Sequence, residues 1–232
     1  MRVHLVDGTF ELFRAYYGAQ PKYSPAGKNV GAAAGLLRSL AILLRQSEVT
    51  HVACAFDHVV ESFRNRLFPS YKSSRSIPGD LLDQFSLAEE ASRSLGIVTW
   101  PMVEFEADDA LATAALRYSS LPRVDQVVIC SPDKDLAQVV DGTRIVTFDR
   151  IRHIQRDEDS VVERFGVLPS SIPDYLSLVG DSADGLPGIP RWGARSAALM
   201  LSNYGTIESI PAEIEHWSVL PRGAETLSKN LN

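Results

Sequence analysis

The chain has 232 residues, 45% of them hydrophobic and 22% charged, with 13 Pro, 15 Gly and a formal net charge of -6. This is the composition of a folded globular protein with one large domain or two small ones, and it excludes a disordered tail, a coiled coil and a scaffold dependent on disulfides or zinc. The excess of 29 acidic over 23 basic residues argues at first against a nucleic-acid partner, because phosphate attracts positive charge.

Residues 2–6 (RVHLV) form an apolar run that predicts a strand, ending at Asp7 and a polar turn. This opening lacks the long apolar region and small-residue cleavage site of a secretory signal. No later run approaches the roughly 20 apolar residues that span a bilayer, so a soluble, intracellular (cytoplasmic) protein is expected. Residues 31–46 are rich in Ala and Leu, with Leu36, Leu40 and Leu43 at helical spacing. A second strand is expected over 51–56, ending at Asp57. Residues 80–95 read as an amphipathic helix through Leu81, Phe85, Ala88 and Leu95, with Gly96 where a C-terminal cap falls. Further on come a short strand at 97–100, an Ala-rich helix at 107–118, a buried strand at 126–130 and another strand at 144–148. The stretch 149–160 carries charge of both signs and reads as a solvated hairpin or loop. Strands alternating with helices at this spacing predict an α/β fold with a mostly parallel sheet covered on both faces. From about residue 170 the pattern changes to short helices broken by Gly and Pro, a small helical subdomain covering 170–232 after a core of 1–169. Cys54 and Cys130 lie in apolar runs and are expected to be buried thiols.

The acids fall in a pattern. Asp7 follows VHLV, Asp57 follows VACAF, and Asp133 and Asp135 follow VVICSP, so three strands deliver carboxylate to one edge of the sheet, the edge where ligands collect in such folds. Glu106, Asp108 and Asp109 crowd the start of a helix, and Asp181 and Asp184 sit at a turn in the helical region. Each cluster alone has a plain structural explanation in helix capping or the helix dipole. Together the acids would repel one another unless a cation neutralised them, and an all-oxygen set suits two Mg2+ or Mn2+ ions, the arrangement that hydrolyses phosphodiesters. The segment 62–75, SFRNRLFPSYKSSR, carries Arg64, Arg66, Lys72 and Arg75 with Phe68 and Tyr71 interleaved and no acid. It is either a solvated basic loop or a surface for a phosphate backbone and an unstacked base. Residues 185–197, GLPGIPRWGARSA, have the spacing of a hairpin between helices, which can aim backbone N–H groups at a phosphate beside Arg191 and Arg195. The five histidines show no ligand spacing.

These motifs, DGTFELFRA from Asp7, FD at Phe56 and Asp57, FRNRLFPSYKSSR, EADDALAT from Glu106, SPDKDLAQVV from Ser131 and LVGDSADGLPGI from Leu178, resemble the bacterial and phage 5'-3' exonuclease and flap endonuclease family over about residues 3–205. The resemblance implies a PIN-like 5'-nuclease core, with a basic arch over 62–95, joined to a helical subdomain of the helix-hairpin-helix type. It implies Asp7, Asp57, Glu106 and Asp108 as ligands of a first metal ion. Asp133, Asp135, Asp181 and Asp184 stand around a second, and Asp109 completes the acidic cluster. Catalytic weight falls on Lys72, Arg75, Asp108 and Asp135; Arg64, Arg66, Tyr71, Lys72, Arg75, Gly188, Arg191, Gly193 and Arg195 are implied DNA contacts. The implied partner is DNA with 5' ends or 5' flaps, bound by a monomer with no membrane attachment. Arg191 occupies a hairpin position commonly glycine, which puts a K+ ion held by that backbone in doubt. Ala183 and Gly185 replace a common Ser and Asn, and the chain ends short of the family's last helices, with no polymerase following. A PIN-type ribonuclease is the alternative enzyme, and a catalytically silent DNA-structure-binding module the alternative from another class. Once the nine implied metal-site acids are set aside, basic residues outnumber acidic ones, so the negative total does not exclude nucleic acid.

Overall fold

The computed structural model describes residues 1–231. A six-stranded sheet in the order β3-β2-β1-β4-β5-β6 organises the molecule. Its strands are β1 (Arg2–Asp7), β2 (His51–Asp57), β3 (Val98–Met102), β4 (Gln126–Cys130), β5 (Ile145–Asp149) and β6 (Ile154–Arg156). All pairs are parallel except β5 with β6, which closes an antiparallel hairpin at one edge. The order places β1 at the centre, and its register sets Val6 beside Cys54 on one side and Cys130 on the other. The carboxyl ends of β1, β2 and β4 therefore lie side by side.

Helices cover both faces. α1 (Gly8–Gly18), α2 (Gly31–Leu43), α3 (Arg64–Leu67), α4 (Gly79–Leu82) and α5 (Phe85–Ser94) precede α6 (Ala107–Ser119). One face packs Val6, Phe56 and Cys130 against Leu36, Leu40 and Leu43 of α2 and Leu81, Phe85 and Ala88 of α4 and α5. The other packs Leu5, Ala55 and Ile129 against Leu111, Ala114 and Ala115 of α6. Full burial of a Leu is worth roughly 1.5–3 kcal/mol, so the α2 stripe alone anchors that layer. A third cluster joins α7 (Glu158–Phe165), α8 (Ile172–Val179), α9 (Ala194–Tyr204) and α10 (Ala224–Leu231) through Val161, Leu178, Trp192, Met200 and Leu227.

The structure departs from the sequence expectations in three places. After Asp7 the chain forms α1 rather than a polar turn, with Asp7 Oδ1 capping it by accepting from the Phe10 N–H at 2.8 Å. The expected helix over 80–95 is broken at Asp83 and Gln84, because Gln84 turns inward and its Oε1 accepts the Ala32 and Ala33 N–H groups at 3.0 and 3.2 Å, capping α2. The charged stretch 149–160 is indeed a hairpin, but it runs into α7, capped by Asp157.

Two glycines fix the loop between α8 and α9. Gly180 ends α8 at φ +85°, and Gly188 lies across from it at φ +68°, so close that a Cβ on Gly188 would stand 2.5 Å from the Gly180 nitrogen. Between them Asp181 and Leu186 exchange backbone hydrogen bonds at 2.8 and 2.7 Å. The loop carrying Asp181 and Asp184 is thus a closed, backbone-to-backbone clasp.

Candidate metal and nucleic-acid site

The strand ends bring Asp7, Asp57 and Asp133 to one cavity of about 430 Å3, whose wall also includes Asp108, Ser131, Lys72, Phe10 and Phe13. Asp7 is 8% exposed; its Oδ2 accepts from Ser131 Oγ at 2.9 Å. Burial, reinforced by the charges of Asp57 and Asp133, pushes its carboxyl up to about 7. Asp57 Oδ1 accepts the Ala107 N–H at the start of α6 at 2.7 Å, and its pKa is also raised by burial. Asp108, one residue further along α6, turns into the cavity with Oδ1 buried and without a hydrogen-bond partner. Its pKa is held well above the ordinary value by burial and by the charges of Asp7 and Asp133.

Asp133 links this cavity to a second set. Its Oδ1 accepts the Asp135 N–H at 2.9 Å, and carboxylate oxygens of Asp135, Asp181 and Asp184 lie within 4.8 Å of one another. Asp135 is pushed up to about 7 by burial and then by Asp133, Asp184 and Asp181, and its Oδ1 has no hydrogen-bond partner. Unpaired buried carboxylate oxygens are costly, and a dense all-oxygen donor set with two of them fits a hard divalent cation.

Glu106 sits where the basic segment meets the acids. Its Oε1 accepts from Ser62 Oγ at 2.6 Å, and its Oε2 from Lys72 Nζ at 2.8 Å and Tyr71 OH at 3.2 Å. Lys72 Nζ is also 3.9 Å from Asp184 Oδ1, which lies among the second set. Lys72 thus stands over both groups of acids.

Several residues singled out from sequence lie elsewhere. Asp109 turns away from the cavity: both its oxygens accept from the Arg64 guanidinium at 2.8 Å, and Oδ2 also takes the Glu106 N–H at 2.9 Å, completing a capping box on α6. Its side chain borders a groove with Trp100, Met102 and Phe105 instead. That arrangement occupies Arg64 as well. Arg66 is exposed and pairs with Glu104 at 2.9 Å. Tyr71 is 7% exposed, so its ring is packed away beneath the segment rather than presented to solvent. Arg75 is exposed in a turn of 3-10 helix. Arg191 adopts φ +72°, the left-handed conformation expected where glycine is common, and it is exposed together with Gly193 and Arg195 at the start of α9. Sequence reasoning missed Ser62 and Ser131, which hold Glu106 and Asp7, and Lys134, whose Nζ lies 2.7 Å from Asp181 Oδ1. Only the last left a signal, a base set between two strand-end acids.

Fold and site place the protein in the class of α/β proteins that gather carboxylates at the carboxyl edge of a parallel sheet and append a helical subdomain. Within that class the chain belongs to the 5'-3' exonuclease family: the family's N-terminal resolvase-like domain matches residues 2–166, and its C-terminal SAM fold matches residues 167–232. It is 37% identical over 230 residues to DNA polymerase I of Pseudomonas aeruginosa, covering 98% of this chain but only 25% of that protein. It is 34% identical to the 5'-3' exonuclease of Buchnera aphidicola, covering 98% of this chain and 75% of the relative. The chain therefore spans about a quarter of the polymerase relatives. Among solved structures, the bacteriophage T5 D15 flap endonuclease in complex with DNA and metal ions superimposes with a TM-score of 0.73 at 19% identity, over all of this chain and 84% of that one. The Rad2 catalytic core with DNA gives 0.58 at 17%, over 98% and 71%. No helix among the described residues is long and apolar enough to cross a membrane.

Proposed function

We propose that the protein is a divalent-metal-dependent nuclease that removes nucleotides from DNA 5' ends and cuts 5' single-stranded flaps at their junction with duplex, in replication or repair. The observation that carries this reading is the convergence of Asp7, Asp57, Asp108 and Asp133 on one cavity that Lys72 overlooks. Asp7, Asp57, Glu106 and Asp108 would hold one Mg2+ or Mn2+ ion, and Asp133, Asp135, Asp181 and Asp184 a second. When bound, such ions neutralise the acids and lower the pKa of water for attack on phosphorus.

The chain's own groups supply the rest. Lys72 reaches both acid sets from the basic segment, and a scissile phosphate entering between them would take its ammonium in place of Glu106. Arg75, exposed a few residues on, adds charge on the approach side. The backbone N–H groups at Gly193 and the start of α9, with Arg191, Arg195 and the turn at Gly188, are suited to a duplex backbone. Phe10 and Phe13 give the cavity an apolar stretch of wall on one side.

The deciding experiment uses a 5'-flap DNA labelled at its 5' end, with Mg2+ or with chelator. Mg2+-dependent release of the flap is expected. Binding without cleavage at any divalent concentration would instead establish a silent DNA-structure-binding module, and cleavage confined to RNA strands would establish a ribonuclease.

A further inference from the structure

Lys134 lies between Asp133 and Asp135 in sequence and pairs across to the α8–α9 loop. Its Nζ stands 2.7 Å from Asp181 Oδ1, an oxygen that also accepts the Ala183 N–H at 3.0 Å. The Asp181 side chain is 5% exposed, whereas that of Lys134 is 31% exposed, so the carboxylate is fixed and the ammonium is free to swing outward. Lys72 is paired in the same manner with Glu106 at 2.8 Å, on the other side of the site. Asp135, adjacent to Lys134 in sequence, keeps a buried Oδ1 with no hydrogen-bond partner, so the lysine balances the charge of this set without filling its coordination.

We propose that Lys134 is an internal counter-cation of the Asp135–Asp181–Asp184 set and determines how tightly that set takes a divalent ion. The proposal rests on reading these acids as a cation site. With no divalent ion bound, the ammonium offsets the repulsion among three carboxylates whose oxygens lie within 4.8 Å of one another. A divalent ion using Asp181 Oδ1 displaces the ammonium from that oxygen and then feels its charge from nearby. In a partly buried setting, repulsion of this kind weakens binding by about tenfold or more. Occupancy of this set then follows the divalent concentration over a higher range than it would with a neutral side chain in place of Lys134. Lys134 acts through Asp181 and is a positioning residue.

The test titrates Mn2+ into the full chain at low ionic strength, with free Mn2+ followed by electron paramagnetic resonance. Wild type, Lys134→Met, Lys134→Gln and Lys134→Arg are compared, and folding of each is checked by circular dichroism. The two neutral variants are expected to bind one Mn2+ about tenfold more tightly, while Lys134→Arg, which keeps the charge, matches wild type. A structural role alone would not separate the arginine variant from the neutral ones. Unchanged or weaker Mn2+ binding in both neutral variants would overturn the proposal and leave the cation site standing. Absence of Mn2+ uptake by every variant and by wild type would overturn the cation reading itself, and the proposal with it.

Discussion

Metal-free protein is expected to lose stability as pH rises from about 4 to about 7, the reverse of ordinary acid denaturation. The cause is Asp7, 8% exposed, whose carboxyl is pushed from 3.8 to about 7 by burial and by neighbouring acids. Between those two values the folded chain holds a proton that the unfolded chain has released, so the folded state binds more protons and stability falls with rising pH. A gap of roughly three units corresponds to on the order of 4 kcal/mol. About two of those units, or roughly 3 kcal/mol, fall between pH 5 and pH 8, which for a chain of this length is on the order of 5–10 °C in Tm. Asp108 and Asp135 are raised as well and act in the same direction, together outweighing buried His4, which burial lowers to about 4 and which acts oppositely between about pH 4 and 6.5. The assay is thermal unfolding with chelator at pH 5 and pH 8, repeated at pH 8 with Mg2+. The expected result is a lower Tm at pH 8 that Mg2+ restores, because a cation bound only by the folded state stabilises it. Asp7→Asn, which cannot ionise, should flatten the pH dependence and raise the metal-free Tm at pH 8. A chelated wild-type Tm that stays level or climbs from pH 5 to pH 8 would refute the electrostatic argument, as would an unchanged slope in Asp7→Asn.

Three further outcomes follow from the geometry. Gly188→Ala must hold a Cβ 2.5 Å from the Gly180 nitrogen at φ +68°, so it should cost about 3 kcal/mol in urea unfolding; a loss under about 1 kcal/mol would mean the clasp yields. Glu11→Ala strips the buried partner from Arg14 and from Arg150, whose Nη1 is 3.0 Å from Glu11 Oε1, and should destabilise by about 3–5 kcal/mol, also read by urea unfolding. Asp109→Asn removes the anionic partner of Arg64 and weakens the α6 capping box, so its Tm should fall while its Mn2+ isotherm stays at wild type, whereas Asp108→Asn should lose Mn2+ affinity and flap cleavage yet keep DNA binding. A lost Mn2+ site in Asp109→Asn, measured by calorimetry, would return Asp109 to the metal ligands.

The sheet was legible because each buried strand is a short apolar run ended by an acid, a pattern with no helical competitor of equal strength. α1 was not, because Thr9, Glu11 and Arg14 interrupt its apolar face; Glu11 is buried under a hydrogen bond donated by Ser39 Oγ of α2 and an ion pair with Arg150 in the β5–β6 turn, contacts invisible in local periodicity. The acids at strand ends were readable for the same reason as the strands. Consecutive acids on a helix were not: Asp108 and Asp109 point about 100° apart, and only the packing of α6 decides which one faces the cavity. Likewise, an aromatic beside a lysine does not reveal whether its ring is free, and Tyr71 proves to be buried with its hydroxyl on Glu106.

The glycine clasp between α8 and α9 has a mechanical meaning. Asp181 and Asp184 lie inside it, and Arg191 and the start of α9 follow within a few residues, tied back by the Ile189 N–H to the Leu178 carbonyl at 2.9 Å. Two stations on the chain are thereby held at a set spacing with no flexible tether between them. A polymer gripped at one would meet the other at a single point along its length, like a rod against a stop. On the nuclease reading proposed above, the position of a cut would depend on the stiffness of this loop, and a substitution that loosened Gly180 from Gly188 would blur where cleavage falls before it changed how fast.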